Sequence, residues 1–309
     1  MNIPKVQVLM STYNGEQYLE KQVESIISQK NVITTLLIRD DGSTDGTVNQ
    51  IKKMKQKYPN RIQFYQGENL GYKKSFLDLT HKASNSYDYY AFSDQDDYWL
   101  PNKLERAVNV LGKSNNKIKL YASTVLIADK NLKILYKKSI SNYVNTLGSS
   151  LCRIRLAGCT YVFNRYALSL LKDFNFKNIS KEQMPSHDGL LITLCQALNG
   201  YVYIDQKSYI LHRRSSKSVT SGGNGITKRL KVEKGMIFNH KNEKLELAKY
   251  IKNHYSVEIS NKNMELINLI LQYQLSIRRK LHLLKEKQLD CGILLANLET
   301  KFQILLNLY

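Results

Sequence analysis

The chain has 309 residues, 42% of them hydrophobic, which is enough to bury one large core and carry an appendage. Its formal net charge of +20 attracts anions such as nucleic acid, acidic lipid headgroups or phosphorylated substrates, and charge alone does not choose among them. The sequence has no apolar run of about eighteen residues, and its first residues lack the pattern of a signal peptide. We therefore expect a cytoplasmic location.

Strand-like and helix-like segments alternate through the first hundred residues. Strands are predicted at 5–11, 35–39, 61–66 and 87–92, and helices at 16–29, 47–58 and 72–84. In the first helix, Leu19, Val23, Ile26 and Ile27 recur at the spacing of an amphipathic face. This alternation predicts an α/β fold with a mostly parallel, Rossmann-like sheet and helices on both of its faces.

Polar residues follow three of these predicted strands. They are Thr12-Tyr13-Asn14, Asp40-Asp41 and Asp94-Gln95-Asp96-Asp97. Because the ligands of parallel sheets bind at the carboxyl ends of the strands, we expect these residues to converge on one crevice.

The second half of the chain is less regular. Strands are predicted at 118–128 and 158–164, and a helix at 187–198. The clearest linker is Gly222-Gly223-Asn224-Gly225, and the polar segment after it has a helical pattern. We therefore divide the chain into a domain at 1–222 and a basic, amphipathic helical region at 226–309. The four cysteines have no C-x-x-C spacing, which suggests buried free thiols rather than a zinc site or a disulfide framework.

Asp94 and Asp96 are separated by one residue just after a predicted buried strand. Two such carboxylates can share one hard cation, Mg²⁺ or Mn²⁺, which also binds phosphate oxygens and helps a diphosphate to leave. Taken alone, the segment is better explained as a solvated turn ahead of the helix near Pro101.

The cluster from Asp40 to Thr47 also has two interpretations. Its Asp, Ser and Thr side chains suit the cap of a helix that begins near Thr47. One carboxylate could instead accept the imide hydrogen of a uracil or thymine ring. Taken alone, the capping interpretation is preferred.

Four motifs occur in one order along the chain. They are Ser11-Thr12-Tyr13-Asn14-Gly15-Glu16, Asp40-Asp41-Gly42-Ser43-Thr44-Asp45-Gly46-Thr47, Asn69-Leu70-Gly71 and Ser93-Asp94-Gln95-Asp96-Asp97-Tyr98-Trp99. In this order they resemble the family-2 glycosyltransferases, clearly over residues 5–110 and less so up to 220. The form S-D-Q-D-D-x-W is similar to the branch that includes bacterial rhamnosyltransferases. The resemblance implies the nucleotide-sugar-binding GT-A fold and a glycosyltransferase activity.

The resemblance also implies roles for individual residues. Contacts to the sugar donor are expected from Thr12, Tyr13, Asn14, Glu16, Asp40, Asp41, Lys73, Asp94, Arg213 and Arg214. Asp40 is the first choice for the pyrimidine contact and Asp41 the second. Asp94 and Asp96 are implied to bind Mn²⁺ or Mg²⁺, with Asp96 preferred as the direct ligand. For Lys73, a solvated helix start is an equally good alternative.

The resemblance places the catalytic base later in the chain. Inverting transfer needs one carboxylate to take the proton of the acceptor hydroxyl. The match is Asp188, in the segment Ser186-His187-Asp188-Gly189, which follows Ala157-Gly158-Cys159-Thr160. The alternative role is a helix N-cap, which Ser186 or Asp188 would suit.

The segment from Leu211 to Thr220 departs from the family pattern. Related enzymes often complete the metal site with a histidine here, and matching Ser218-Val219-Thr220 to the pattern puts Ser215 at that position. His212, three residues earlier, is the candidate metal ligand, with a surface or packing histidine as the alternative. The neighbouring arginines, Arg213 and Arg214, are candidates for binding the diphosphate.

Apolar residues recur at helical spacing in the C-terminal region, beside basic ones. One stripe contains Met264, Ile267, Leu271 and Leu275, followed by Arg278-Arg279-Lys280, and another contains Leu294, Leu295, Leu298, Phe302, Leu305 and Leu306. These faces either pack on the catalytic domain or on a second subunit, or lie on the anionic inner leaflet of the plasma membrane. Packing is the preferred interpretation of the apolar faces.

The sequence therefore predicts a metal-dependent, inverting glycosyltransferase. It would move a sugar, with rhamnose as the candidate, from a dTDP- or UDP-sugar to a hydroxyl of a glycan acceptor, lipid-linked acceptors included, in bacterial capsule or surface polysaccharide synthesis. A nucleotidyltransferase is an alternative, but it would normally carry a glycine-rich, basic motif where residues 11–16 have one glycine and an acid. A basic nucleic-acid-binding protein is another, and it leaves three acidic strand ends unexplained.

Overall fold

The computed structural model describes residues 3–177, 179–180, 183–214 and 242–309. They form two compact units whose segments interleave along the chain. Unit one holds the described residues within 1–140, 156–176 and 201–215, and unit two holds those within 141–155, 177–200 and 216–309. The predicted linker at 222–225 lies outside the described residues, so a domain division at that point stays a prediction.

Unit one contains a mixed sheet. Its strands in the described part of the chain are β1 (Lys5–Thr12), β2 (Ile33–Asp40), β3 (Ile62–Gln66), β4 (Tyr89–Ser93), β5 (Tyr98–Trp99), β6 (Lys119–Ala128), β7 (Ile134–Lys137), β8 (Val162–Asn164) and β9 (Tyr201–Arg213). They lie in the order β3-β2-β1-β4-β8-β6-β9-β5, with β7 paired to β6. The pairs among β1 to β4 are parallel, as is the pair of β6 with β9. Strand β8 runs antiparallel to β4 and β6, and β5 runs antiparallel to β9.

The helices divide between the two units. They are α1 (Leu19–Ile27), α2 (Thr47–Lys57), α3 (Tyr72–Lys82), α4 (Lys103–Gly112), α5 (Leu147–Cys152), α6 (Arg165–Lys172), α7 (His187–Ala197), α8 (Glu243–Tyr255), α9 (Asn261–Gln272), α10 (Ile277–Leu284) and α11 (Leu294–Leu305). Helices α1 to α4 and α6 belong to unit one, and α5 and α7 to α11 belong to unit two. Among the described residues, none of these helices has the length and apolar character needed to cross a membrane.

The first half of the chain folds as its hydrophobic pattern predicts. In α1, Leu19, Val23 and Ile26 are fully buried and share one core with β1 and β2. Strand β1 is buried almost continuously, as expected where both faces of a parallel sheet are covered. Each fully buried aliphatic side chain of this kind stabilises the fold by about 1.5–3 kcal/mol. The predicted α/β fold with a helical C-terminal region is confirmed.

The strand predicted at 158–164 is only partly correct. Gly158–Thr160 forms a 3₁₀ turn, and the strand β8 is confined to Val162–Asn164. The turn is closed by bonds between residues three apart, from Thr160 N to Ala157 O (3.0 Å) and from Tyr161 N to Gly158 O (2.8 Å). The Thr160 hydroxyl also donates to Ala157 O at 2.7 Å. These local bonds replace a strand ladder, because a side-chain hydroxyl offers the backbone an alternative partner.

In unit two, the first of the two predicted C-terminal stripes is only partly buried: Met264 and Leu271 are half-buried. Ile267 of α9 is fully buried, together with Leu266 and Ile270, whereas Leu275 is 70% exposed. Asn263 of the same helix is also buried and donates to the carbonyl oxygens that end α7, at 3.0 Å each. The second predicted stripe lies on α11 and has a different environment, described below.

Candidate active site

The three polar strand ends meet as predicted, because β2, β1 and β4 are neighbours in the sheet. Thr12 at the end of β1 lies opposite Asp40 at the end of β2. The Thr12 hydroxyl donates to Asp40 Oδ1 at 3.0 Å. On the other side, the Gln95 side-chain amide makes two hydrogen bonds to the backbone of Tyr13, both 2.9 Å long. The loops after β1, β2 and β4 therefore form one connected polar surface.

The two adjacent aspartates after β2 have different partners. Asp40 is fully buried and accepts from the backbone N–H of Ser43 at 2.9 Å and from the Ser43 hydroxyl at 2.5 Å. Asp41 forms a buried ion pair with Arg39 and accepts from the backbone N–H groups of Leu70 and Gly71, both at 2.9 Å. Asp41 therefore holds the Asn69-Leu70-Gly71 loop and its charge is neutralised by an arginine. Which of the two contacts the donor stays a prediction.

The loop after β1 carries the exposed ring of Tyr13. Two further side chains, Asn14 and Glu16, make hydrogen bonds to the loop after β2. Tyr13 is 47% exposed, whereas Thr12 is fully buried. Asn14 has a left-handed backbone (φ 48°), and its side-chain oxygen accepts from Thr44 N at 2.8 Å. Glu16 accepts from Gly46 N at 3.0 Å. The predicted donor contacts of these residues stay predictions; Tyr13, Asn14 and Glu16 are exposed, whereas Thr12 is not.

A potential metal-binding cluster lies beyond the end of β4. Asp94, Asp97, Cys159 and His212 each offer one ligand atom, and these atoms lie within 4.8 Å of one another. Carboxylates suit Mg²⁺ or Mn²⁺, and a thiol and an imidazole widen the range to softer ions. The donor set therefore fits a divalent cation without selecting one. Of the predicted ligands, Asp94 and His212 belong to this cluster.

Asp96, the preferred ligand from the sequence, is not part of this cluster. Burial first, and the negative charge of Asp97 second, raise the pKa of the Asp96 carboxyl to about 6. Crowded carboxylates of this kind are costly until a cation neutralises them. Ligation by Asp96 stays a prediction, and its crowding with Asp97 is consistent with a site built for positive charge.

His212 lies at the end of β9 and is paired with the fully buried Asp97. Its Nδ1 is 2.9 Å from Asp97 Oδ1 and 4.0 Å from the Cys159 sulfur. Burial alone would lower the pKa of His212, but Asp97 outweighs it, assisted by Asp94 and Asp96, and the pKa rises to about 9. The imidazolium therefore compensates the acidic cluster when no cation is bound. Binding of a metal through this nitrogen must release a proton.

Arg213 braces the acidic turn. Its Nε donates to the backbone oxygen of Asp96 at 2.8 Å and its Nη1 donates to the oxygen of Lys130. The guanidinium also lies 4.2 Å from the ring centre of Tyr18, and the residue is 2% exposed. Arg214 is exposed, and its N–H donates to Ala128 O at 2.9 Å. The predicted diphosphate contacts of both arginines stay predictions, and Arg214 has the more accessible side chain.

The sequence analysis did not assign two residues to the site: Cys159, a member of the cluster, and Lys103 beside it. Lys103 is fully buried with its Nζ 3.6 Å from the ring centre of Trp99. Burial lowers the pKa of Lys103 to about 7, although Cys159 and Asp97 act in the opposite direction. No sequence spacing predicted this contact, because Trp99 lies in β5 and Lys103 is the first residue of α4. Cys159 carried no local signal, because the 3₁₀ turn that positions it was predicted as a strand.

The predicted base, Asp188, lies in the first turn of α7 in unit two. The N-cap role belongs to Ser186, whose side chain accepts from Gly189 N at 3.2 Å. Asp188 Oδ1 also accepts from Gly189 N, at 2.9 Å, and the residue is half-buried. The preceding His187 is buried, which lowers its pKa to about 4. Lys73, the remaining predicted donor contact, is half-buried in the first turn of α3.

The fold is of the GT-A type, an α/β sheet with polar residues at the ends of its parallel strands. The sequence model of glycosyl transferase family 2 matches residues 7–167, about half of the chain. The chain therefore belongs to glycosyl transferase family 2, and the predicted family and enzyme class are confirmed.

Individual relatives add detail. Over 216 residues the chain is 34% identical to the dTDP-rhamnosyl transferase RfbG of Shigella flexneri, covering 66% of this chain and 71% of that protein. It is 40% identical over 111 residues to the putative glycosyltransferase EpsE of Bacillus subtilis (strain 168), covering 36% of this chain and 39% of that one. The crystal structure of S. aureus TarS 1–349 in complex with UDP aligns with a TM-score of 0.54 and 15% identity, over 98% of this chain and 89% of that TarS 1–349 chain. At that identity the similarity shows the fold alone.

Proposed function

We propose that this enzyme transfers a rhamnosyl group from a dTDP-activated donor to a hydroxyl of a glycan acceptor, with a UDP-sugar as the alternative donor. The observation that carries the proposal is the convergence of Thr12, Asp40 and the acidic cluster at adjacent strand ends. Support for rhamnose comes from the similarity to a protein named as a dTDP-rhamnosyl transferase. Support for a pyrimidine nucleotide also comes from the fold shared with TarS, whose structure contains UDP.

On the donor side, Asp40 is proposed to accept the imide hydrogen of the thymine or uracil ring. One lone pair of Asp40 Oδ2 remains for this bond after the Ser43 contact. The exposed ring of Tyr13 offers a face on which the base or ribose can pack. Asp94 and Asp96, with His212, are proposed to hold a divalent cation, which neutralises the diphosphate as it leaves.

On the acceptor side, Asp188 is proposed to take the proton of the attacking hydroxyl in a single, inverting displacement. Because Ser186 caps α7, the Asp188 carboxylate is not needed for that structural role. Its position in the first turn places a negative charge where the helix dipole favours it. The acceptor is proposed to be a growing capsule or surface polysaccharide on a lipid carrier.

The test is nucleotide release from a panel of dTDP-, UDP- and GDP-sugars, with and without Mn²⁺ or Mg²⁺. We expect slow, metal-dependent hydrolysis of dTDP-rhamnose that is lost in Asp96→Ala. Asp173→Ala, an exposed carboxylate at the end of α6, is the matched control and should keep the activity. Turnover of a GDP-sugar alone would overturn the pyrimidine assignment. Absence of both turnover and calorimetric binding of dTDP and UDP would overturn the proposal as a whole.

A further inference from the structure

The last helix, α11, has two apolar faces. One contains Ala296, Thr300 and Ile304, all nearly or fully buried within unit two. The other contains six large apolar residues that are 44–76% exposed: Leu294, Leu295, Leu298, Phe302, Leu305 and Leu306. At 100° per residue these six fall within one third of the helix circumference, on the side away from the buried face. The exposed side of α11 is therefore a continuous apolar stripe.

An exposed stripe of this kind needs an explanation. Single exposed leucines are ordinary on a protein surface, but contiguous apolar patches on soluble proteins are rare and usually mark an interaction site. Half-exposing six large side chains forgoes much of the free energy that their burial would contribute. A helix that only completes the core of unit two would need its buried face alone.

Helix α10 lies beside the end of this stripe and is strongly basic. Lys280 of α10 donates from Nζ to the carbonyl oxygen of Leu305 at 3.2 Å, which joins the two helices. Helix α10 carries Arg278, Arg279 and Lys280 and no acidic residue, and Leu283 is its buried residue. It also exposes two apolar residues, Ile277 at 78% and Leu281 at 50%. Helix α10 thus exposes both basic and apolar side chains beside the end of the stripe.

We propose that α10 and the exposed stripe of α11 form a docking surface for an anionic lipid bilayer. The leucines and Phe302 enter the boundary between headgroups and acyl chains, and the arginines and lysine contact the acidic headgroups. Each basic residue near such a surface adds to the electrostatic attraction. The net charge of +20 draws the whole protein in the same direction.

Charge is the reason for choosing a membrane over a second copy of the chain. A two-fold dimer uses the same patch on both subunits. Pairing two α10–α11 surfaces would bury the leucines but would also bring two sets of Arg278, Arg279 and Lys280 towards each other. Like charges across an interface are unfavourable. An anionic bilayer satisfies the apolar and the basic groups together. The inference does not depend on the proposed sugar transfer.

The test is co-sedimentation of the full chain with vesicles of phosphatidylglycerol and phosphatidylcholine, compared with vesicles of phosphatidylcholine alone. We expect binding to the mixed vesicles that is at least about tenfold tighter than to the neutral ones and that weakens as salt is raised. Leu298→Ser combined with Phe302→Ser should reduce binding at least about tenfold. Arg278→Gln combined with Arg279→Gln should remove most of the preference for anionic vesicles.

A matched control uses exposed apolar residues elsewhere. Leu135 and Tyr136 on β7 of unit one are 54% and 50% exposed, so Leu135→Ser combined with Tyr136→Ser alters a similar apolar area. This control should bind vesicles as the unaltered protein does. Circular dichroism and thermal midpoints establish that each variant is folded, which is expected because the altered side chains are exposed.

Three results would overturn the proposal. The first is absence of vesicle binding by the unaltered protein at low salt. The second is an equal loss of binding in the β7 control. The third is a dimer, seen by light scattering, that Leu298→Ser with Phe302→Ser converts to a monomer without any vesicle binding, since a second copy would then be the partner.

Discussion

The strand-end site of unit one and the α10–α11 surface of unit two depart from ordinary burial in opposite ways. In unit one, Asp40, Asp97 and Lys103 are charged residue types that are fully buried. In unit two, α11 leaves Leu294 and Leu298 more than half exposed. Charged side chains are almost never fully buried unless paired, and large contiguous apolar patches are rarely left in water.

The two departures have different physical remedies. A buried carboxylate is stabilised by a fixed partner, and Asp97 has His212 while Asp41 has Arg39. An exposed leucine of α11 has no such partner among the described residues and would be stabilised by an apolar surface from outside them. The described part of unit one is therefore arranged around internal charge compensation, whereas α10 and α11 of unit two present an exposed apolar face. The comparison can be tested from both sides.

The largest expected effect is the loss of kcat when Asp188 of α7, the proposed catalytic base, is replaced. Asp188→Asn should lower kcat about 10³-fold, because the amide cannot take a proton, while KM for the donor changes little. The measurement is steady-state transfer with the donor found by the panel. Ser186→Ala is the control: it should lose about 1 kcal/mol of stability with the cap and keep its kcat. A variant at 188 with near-normal kcat would show that unit two carries no catalytic carboxylate at this position.

The two faces of α11 should differ strongly in their contribution to stability. Ile304→Ala removes a fully buried side chain and should lower the free energy of unfolding by about 2–5 kcal/mol. Leu298→Ala, on the exposed stripe of the same helix, should change it by no more than about 0.5 kcal/mol. Urea denaturation of the full chain in the absence of lipid measures both. Equal losses would mean that the stripe is covered within the protein.

The buried His187 predicts an acid-sensitive unit two. Its folded-state pKa of about 4 lies below the ordinary 6.5, so the unfolded chain binds the proton more readily between these values. Above about pH 6.5 His187 is neutral in both the folded and the unfolded chain, and it costs no stability. As the pH falls from there towards 4, the free energy of unfolding decreases by up to about 3 kcal/mol. His187→Gln should show a shallower decline of the thermal midpoint over this range. The exposed His254→Gln should keep the original pH dependence.

The smallest effect is expected at the acidic cluster itself. Mn²⁺ at about 100 times its dissociation constant should stabilise the protein by about 2.7 kcal/mol, visible as a rise in the thermal midpoint. His212→Ala should weaken the cation about tenfold or more and reduce this rise. The exposed His254→Gln serves again as the control. An unchanged rise in His212→Ala would leave His212 as a counter-charge for Asp97 without a part in metal binding.

The sequence predicted the elements that have a clear local hydrophobic pattern, but it did not predict the short or irregular strands that complete the sheet. The strands β1 to β4 and helices α1 to α3 were predicted within about three residues, because each has a continuous or amphipathic pattern. The antiparallel strands β5 and β8 are two and three residues long. Strands this short show no hydrophobic periodicity that could predict them. Strand β9 was missed because its exposed and buried residues do not alternate regularly.

The site was predictable where it lies in one motif and hidden where distant segments build it. Thr12, Asp40 and Asp94 sit at the ends of predicted parallel strands, so their convergence could be expected. Cys159 and His212 reach the cluster through a 3₁₀ turn and through the pairing of β9 with β5 and β6. No spacing in the sequence reports such contacts. The outward direction of the α11 stripe was equally hidden, since periodicity identifies a face without identifying what it meets.

The pair of hydrogen bonds between the Gln95 side chain and the backbone of Tyr13 has a consequence for protein engineering. A side chain at Gly15 would overlap the Gln95 amide, so the loop after β1 and the loop after β4 are matched in shape as well as in hydrogen bonding. Transplanting either loop alone from a relative with a different donor would separate a matched pair. Recombination of donor preference between such enzymes should therefore succeed when residues 12–16 and 93–97 are exchanged as one cassette, eighty residues apart in sequence but inseparable in space.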